Sequence, residues 1–150
     1  MTTDSRVETY QHIHLVSELL SEVIEDLLSR VIHHDYSKLH EPELSVFNEY
    51  TDRLKASTYG SPEYEEFRRL MKPALDHHYA NNRHHPEYYP KGVLDMTLID
   101  VIEMLADWKA ASMRHDNGNI LTSIEHNQKR FGYGDELKQI LLNTVRYLHY

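Results

Sequence analysis

No cysteine occurs among the 150 residues, which excludes disulfides, thiolate nucleophiles and thiolate-bound zinc together. Any metal must rest on His, Asp and Glu. Basic residues are also short, with 16 Lys and Arg against 24 Asp and Glu and a formal net charge of −8. With no basic stripe to displace counterions, a nucleic-acid duplex is not an expected partner, whereas a small phosphorylated substrate needs only local cations. No uninterrupted apolar run approaches the roughly 20 residues that cross a bilayer. The opening Met1-Thr2-Thr3-Asp4-Ser5-Arg6 is not a basic-then-apolar leader. A membrane is therefore not an expected partner, and the cytoplasm is the expected compartment.

What remains is an ordinary globular composition, 40% apolar and 27% charged, at a length suited to one domain over residues 1–150. Two counts stand out: twelve His and eleven Tyr. Seven of the His fall between His33 and His85, denser than a structural role needs. Tyr is enriched at interfaces, so its abundance points to self-association, with a homodimer as the expectation.

The periodicity is helical throughout, and no strand-like alternation interrupts it. From Val7 to Ile32 there is no Gly or Pro, and Ile13, Val16, Leu20, Val23, Leu27, Leu28 and Val31 recur at three-or-four spacing. Pro42 ends that region, and a second helix is expected from about Glu43 to Lys55 with Leu44, Phe47 and Leu54 on one stripe. After the loop from Ser57 to Pro62, Ser61 caps a helix through Phe67, Leu70, Met71 and Leu75, with a possible bend at Pro73. Met96 to Met113 forms the next helix, with Leu98, Val101, Ile102, Leu105 and Trp108 as its apolar stripe and Asp100, Glu103 and Asp107 opposite. A turn at Asp116-Asn117-Gly118-Asn119, a helix from Ile120 to Phe131, a break at Gly132-Tyr133-Gly134 and a helix from Asp135 to Tyr147 complete the chain.

The chemistry concentrates in Ile32-His33-His34-Asp35-Tyr36-Ser37-Lys38-Leu39. An imidazole and an adjacent carboxylate can reach one borderline cation such as Zn, Mn, Fe or Co, but two neighbours do not define a site. His77, His78, His84 and His85 are the obvious company, at a repeat of seven. On a straight helix such pairs lie about 10 Å apart. Either the Asn81-Asn82-Arg83 segment turns and gathers them, or they serve two metals about 3.5–4 Å apart. The plain alternative is a polar loop rich in His by chance. Asp107 lies inside an apolar helix, where a carboxylate is either on the wet face with Asp100 and Glu103 or aimed at a cation.

An early His, then His34-Asp35-Tyr36-Ser37-Lys38, then His77-His78 through His84-His85-Pro86-Glu87, then Glu103-Met104-Leu105-Ala106-Asp107-Trp108 resembles the HD-domain metal-dependent phosphohydrolase superfamily. Within it, the likeness is to small HD-like proteins of bacteria and phages, and it covers roughly His12 to Phe131. It implies an all-α, HD-like helical domain of five to seven helices. His34 and Asp35 become the central ligands, His12 the early His, Asp107 the late Asp, with His78 and His84 completing one or two divalent transition metals (Mn, Fe, Co, Zn or Ni). Lys38 matches the Lys that often follows the His-Asp pair, which implies a phosphate-facing cation, and His85 is the candidate proton shuttle. Arg83 and Lys91 are further candidates for substrate contacts.

The implied activity is hydrolysis of a nucleotide or other small phosphate ester. A di-iron oxygenase on the same scaffold and a non-enzymatic helical binding or inhibitor module stand as alternatives. One point of geometry opposes the resemblance. His12 and His34 are 22 residues apart, about 33 Å on a straight helix. The resemblance requires a break, most plausibly between Ser17 and Ser21; an unbroken helix would leave His12 able to serve only another subunit's site.

Overall fold

The computed structural model describes residues 4–57, 61–114 and 118–150, with Lys55 described by its backbone alone. Thr58, Tyr59 and Gly60 of the expected loop, and Asp116 and Asn117 of the expected turn, lie outside the described residues. Seven α-helices and no strand occur among the described residues, which makes the chain all-α as its periodicity indicates. Two compact units are present, Met1–His34 and Asp35–Tyr150.

The first unit is helix α1, Arg6–His33. It runs without interruption, so the break expected between Ser17 and Ser21 is absent. The hydroxyl of Ser21 donates to the Ser17 carbonyl at 2.8 Å, which absorbs inside the helix the hydrogen-bonding capacity that would otherwise cap a new one. His12 is exposed on this helix. At about 1.5 Å rise per residue it stands about 33 Å from the helix end where His34 caps, too far to share one metal with it. Ile13, Leu20 and Leu28 keep their helical register, but no residue of α1 is buried.

The second unit holds α2 (Glu43–Ala56), α3 (Pro62–Leu70), α4 (Lys72–Asn81), α5 (Leu98–Ser112), α6 (Ile120–Phe131) and α7 (Asp135–Tyr147). Ser61 caps α3 as expected, its hydroxyl accepting from the Tyr64 amide at 3.1 Å. Pro73 does not bend a continuing helix. The helix ends at Leu70, and Pro73 lies in the first turn of α4, where its missing N–H leaves no bond unmade. Helix α4 continues past Leu75 to Asn81, so His77 and His78 are helical. Gly132, at φ 69°, takes the left-handed position that closes α6, its amide donating to Gln128 O at 2.8 Å.

The core lies between α5, α6 and α7. Val101, Met104, Leu105, Ile120, Ile124, Tyr133, Leu141 and Val145 form its buried cluster. The buried stripe of α5 is thus Val101, Met104 and Leu105, with Trp108 partly buried against it, while Leu98 and Ile102 from the expected stripe are exposed at 69% and 42%. Trp108 stacks on Phe131 with ring planes 6° apart, and the Tyr133 hydroxyl donates to Ile124 O at 2.7 Å. Ile124 has no exposed surface. Ile124→Ala is expected to cost about 2–5 kcal/mol in urea unfolding, from lost burial plus the cavity left behind. Ile102→Ala should stay within about 0.5 kcal/mol; equal losses for the two would put the core on the wrong face of α5.

Candidate metal centre

The site begins with a change of backbone direction after α4. Asn82 is extended at φ −125°, ψ 106°, which ends the helix and lets the chain return through Arg83 to a 3-10 turn at Pro86–Tyr88. Asn82 is buried, and its side-chain amide donates to His78 O and to Ser37 Oγ, both at 2.8 Å. That turn is what gathers the histidines: the Nε2 atoms of His78 and His85 are 2.9 Å apart, and the rings of His84 and His85 have centroids 4.1 Å apart. Of the two arrangements open to the repeat of seven, the turning one is present.

Asp35 enters from the other side of the cluster. Its backbone is left-handed, φ 57° and ψ 14°, a conformation that Asp tolerates better than most residues bearing a Cβ. Asp35 Oδ1 lies 3.2 Å from His78 Nε2 and 3.5 Å from His84 Nε2. Asp35, His78, His84 and His85 each offer one ligand atom within 4.8 Å of all the others. Donors about 2.0–2.2 Å from a shared cation sit about 2.8–3.6 Å from one another, whether at neighbouring positions of an octahedron or corners of a tetrahedron. The observed 2.9, 3.2 and 3.5 Å fall within that range.

Behind the donors stand carboxylates that fix the rings. His78 Nδ1 is 2.9 Å from Glu43 Oε2, and His84 Nδ1 is 3.2 Å from Glu103 Oε1. With Nδ1–H donating to a carboxylate, Nε2 turns its lone pair to the cluster, the arrangement by which metal-binding imidazoles are oriented. Glu43 has no exposed surface; it also accepts from Ser37 Oγ at 3.0 Å and from His77 Nδ1 at 2.7 Å. His85 is pushed down to about 3 by burial, then by His84 and His78, against the opposing pull of Asp107 and Asp35. The proton-shuttle candidate His85 thus sits within the imidazole cluster, its ring 4.1 Å from that of His84.

The remaining candidates have other places. A carboxylate oxygen of Asp107 lies within 4.8 Å of one from Asp35, so the face of α5 carrying Asp107 turns to the cluster and is not the wet face. Lys38, read as a phosphate-facing cation, is bonded instead to Asp35 Oδ2 and lies 5.4 Å from the Phe47 ring centroid. Arg83, read as a substrate contact, reaches Asp100 through Nε and Nη2 at 3.2 and 3.3 Å. Lys91 borders a separate cavity with Phe131 and Tyr133. His34 is the half-buried residue capping α1, its amide donating to Arg30 O at 2.8 Å.

Glu43, Glu103, Ser37 and Asn82 were not singled out from sequence as site residues. For Glu43 no signal marks burial, since an acid just after Pro42 at a helix start reads as a partner for the helix dipole. For Glu103 the signal is its shared face with Asp107, a face the sequence leaves open between solvent and a cation. Asp100 shares that face; it has no exposed surface and closes a capping box with Thr97. It also accepts from the Tyr89 hydroxyl at 2.7 Å. Burial alone would raise its pKa, but hydrogen bonds from Arg83, Tyr89 and Thr97 hold it well below the usual carboxylate range.

A folded pKa below the unfolded one contributes stability that is present above about pH 4 and lost as pH falls through the folded value. Asp100→Asn is therefore expected to cost about 1–3 kcal/mol at pH 7 and to flatten the decline of stability below about pH 4. Chemical denaturation at a series of pH values measures both. An unchanged acid limb would remove Asp100 as the anchor of the Arg83 loop.

A stretch of 87 residues is 32% identical to a biotin synthase from Chromohalobacter salexigens, covering 54% of this chain and 24% of that protein. The chain thus spans about a quarter of that relative's length. No solved structure matches the chain. Nearly its whole length, residues 1–148, matches one family pattern, and the chain belongs to that family, described as a family of unknown function (DUF5662).

Proposed function

We propose that Asp35, His78, His84 and His85 hold a divalent transition metal and that the centre hydrolyses a small phosphate ester. The observation that carries the reading is the convergence of His78 Nε2 and His84 Nε2 on Asp35 Oδ1 at 3.2 and 3.5 Å, with His85 Nε2 2.9 Å from His78 Nε2. Bound there, the metal would lower the pKa of water and polarise a phosphoryl oxygen. Asp107, near Asp35, accepts the proton of the attacking water. Lys38 acts through Asp35, its ammonium keeping Oδ2 engaged so that Oδ1 faces the donors.

Donor count bears on the choice of metal. Four protein ligands fill a tetrahedral zinc ion and make a closed, structural site, whereas Mn, Fe or Co in octahedral coordination keeps positions for water and substrate. A catalytic centre with this donor set therefore takes one of the latter. A di-iron oxygenase would use the same donors with iron and O₂, and Asp107 beside Asp35 supplies the second carboxylate such a pair would need.

Elemental analysis of protein purified without chelator, followed by phosphate release from a panel of nucleotides and sugar phosphates, tests the proposal. Retained Mn, Fe or Co with phosphate release is the expected result. Asp35→Ala and His78→Ala should each abolish metal retention, and Glu103→Gln should weaken it about 10–100-fold through the loosened His84 ring. Protein that holds no metal ends the metal reading. Zinc at one per chain without turnover marks the centre as structural, and O₂ consumption with iron but no phosphate release transfers the site to the oxygenase reading.

A further inference from the structure

We propose that the cavity lined from α2, α3, α4 and α6 binds an amphipathic organic oxyanion, a ligand with a flat apolar body and a carboxylate or phosphate head. The cavity measures about 350 Å³, within the range of small-molecule sites. Its lining includes Arg68, Arg130 and His126 and no Asp or Glu. In a chain with 24 acidic and 16 basic side chains, a lining drawn without regard to charge would carry more acids than bases. The reversal puts two guanidiniums and no carboxylate on the cavity wall.

The two arginines come from separate helices, Arg68 from α3 and Arg130 from α6. His126 sits one turn before Arg130 on the same face. Each guanidinium is anchored by an acid that does not line the cavity: Arg68 lies 3.7 Å from Glu65, and Arg130 lies 2.6 Å from Glu87. A guanidinium carries five N–H donors in a fixed fork, so one anchoring contact sets its direction and leaves donors for a ligand's oxyanion. Met71, Leu54 and Leu75 supply apolar wall, and Phe47, Tyr64 and Tyr79 supply flat surfaces for an aromatic or planar body.

Two of these walls are shared with the candidate metal centre. Phe47 meets the His78 ring edge-on at 6.3 Å, and Tyr79 lies 4.9 Å from the His85 ring. None of Asp35, His78, His84 and His85 lines the cavity itself. The anion site thus backs onto the imidazoles without including them, and it stands independently of the metal reading.

Protein dialysed against a chelator, titrated with phenyl phosphate, phenylacetate, benzyl alcohol and inorganic phosphate and followed by amide NMR shifts, tests the proposal. The expected result is binding of an organic anion with shifts at Arg68, Met71, His126 and Arg130. Benzyl alcohol and inorganic phosphate, each half of such a ligand, should bind at least about tenfold more weakly. The tighter of phenyl phosphate and phenylacetate identifies the head group. Arg68 and Arg130 have side chains 44% and 42% exposed, so Arg68→Gln and Arg130→Gln should leave the melting temperature in place while each weakening the anion about tenfold. Benzyl alcohol binding as tightly as the anions, unchanged affinity in the double variant, or shifts confined to the histidine cluster would each overturn the site. Loss of anion binding in protein that still takes up metal counts against this cavity alone, and anion binding in protein that takes up no metal counts against the metal centre alone.

Discussion

A carboxylate with no exposed surface must have its acceptors met by donors, and Glu43 imposes that demand on everything around it. Its two oxygens take Ser37 from the 3-10 turn after Asp35, and His77 and His78 from α4. Leaving a buried acceptor of this kind unmet costs about 1–3 kcal/mol or more, so these elements are fixed to the start of α2. Asn82 then ties Ser37 to the last turn of α4. The direction of His78 Nε2 follows from its opposite nitrogen being held by Glu43, and the position of His85 follows from the chain reversal that Asn82 stabilises. The chemistry of the cluster is thus set by a residue that does not face it.

Much of this was legible in the chain. Helical periodicity marks the all-α class, Ser61 and Gly132 mark helix ends, and His78, His84 and Asp35, singled out by residue type, lie together in the fold. The illegible part has a common cause: a sequence reports which face of a helix is polar, but not whether that polar face meets water or another polar face. Glu43, Asp100, Glu103 and Asp107 are four cases of this. On α5, Val101, Met104 and Leu105 pack on α6 and α7, and the acidic side, which amphipathicity alone assigns to solvent, turns to the histidines. The Ser17 to Ser21 region erred differently. Serine supports both a cap and an i−4 bond within a helix, and the good helix formers on either side decide between them.

The same reasoning explains why the candidate cations found other partners. The HD-like resemblance implies a phosphate-facing Lys38, and Arg83 is a candidate substrate contact. In the fold, both act on carboxylates. Lys38 takes one oxygen of Asp35 and leaves the other toward the imidazoles. Arg83 forms a forked pair with Asp100 and lies 5.7 Å from the Tyr89 ring centroid, holding the loop that carries His84 and His85. Their contribution is to aim the donors.

Charge completes the argument. Asp35, Glu43, Glu103 and Asp107 gather around three imidazoles, and Lys38 is bonded to Asp35 Oδ2. Two carboxylate oxygens within 4.8 Å of each other, as those of Asp35 and Asp107 are, repel by at least about 3 kcal/mol at an effective dielectric of about 20. Neutral His85 does nothing to offset this. In the proposed metal-bound form, a divalent ion would offset this repulsion while using the lone pairs that Glu43 and Glu103 have turned inward.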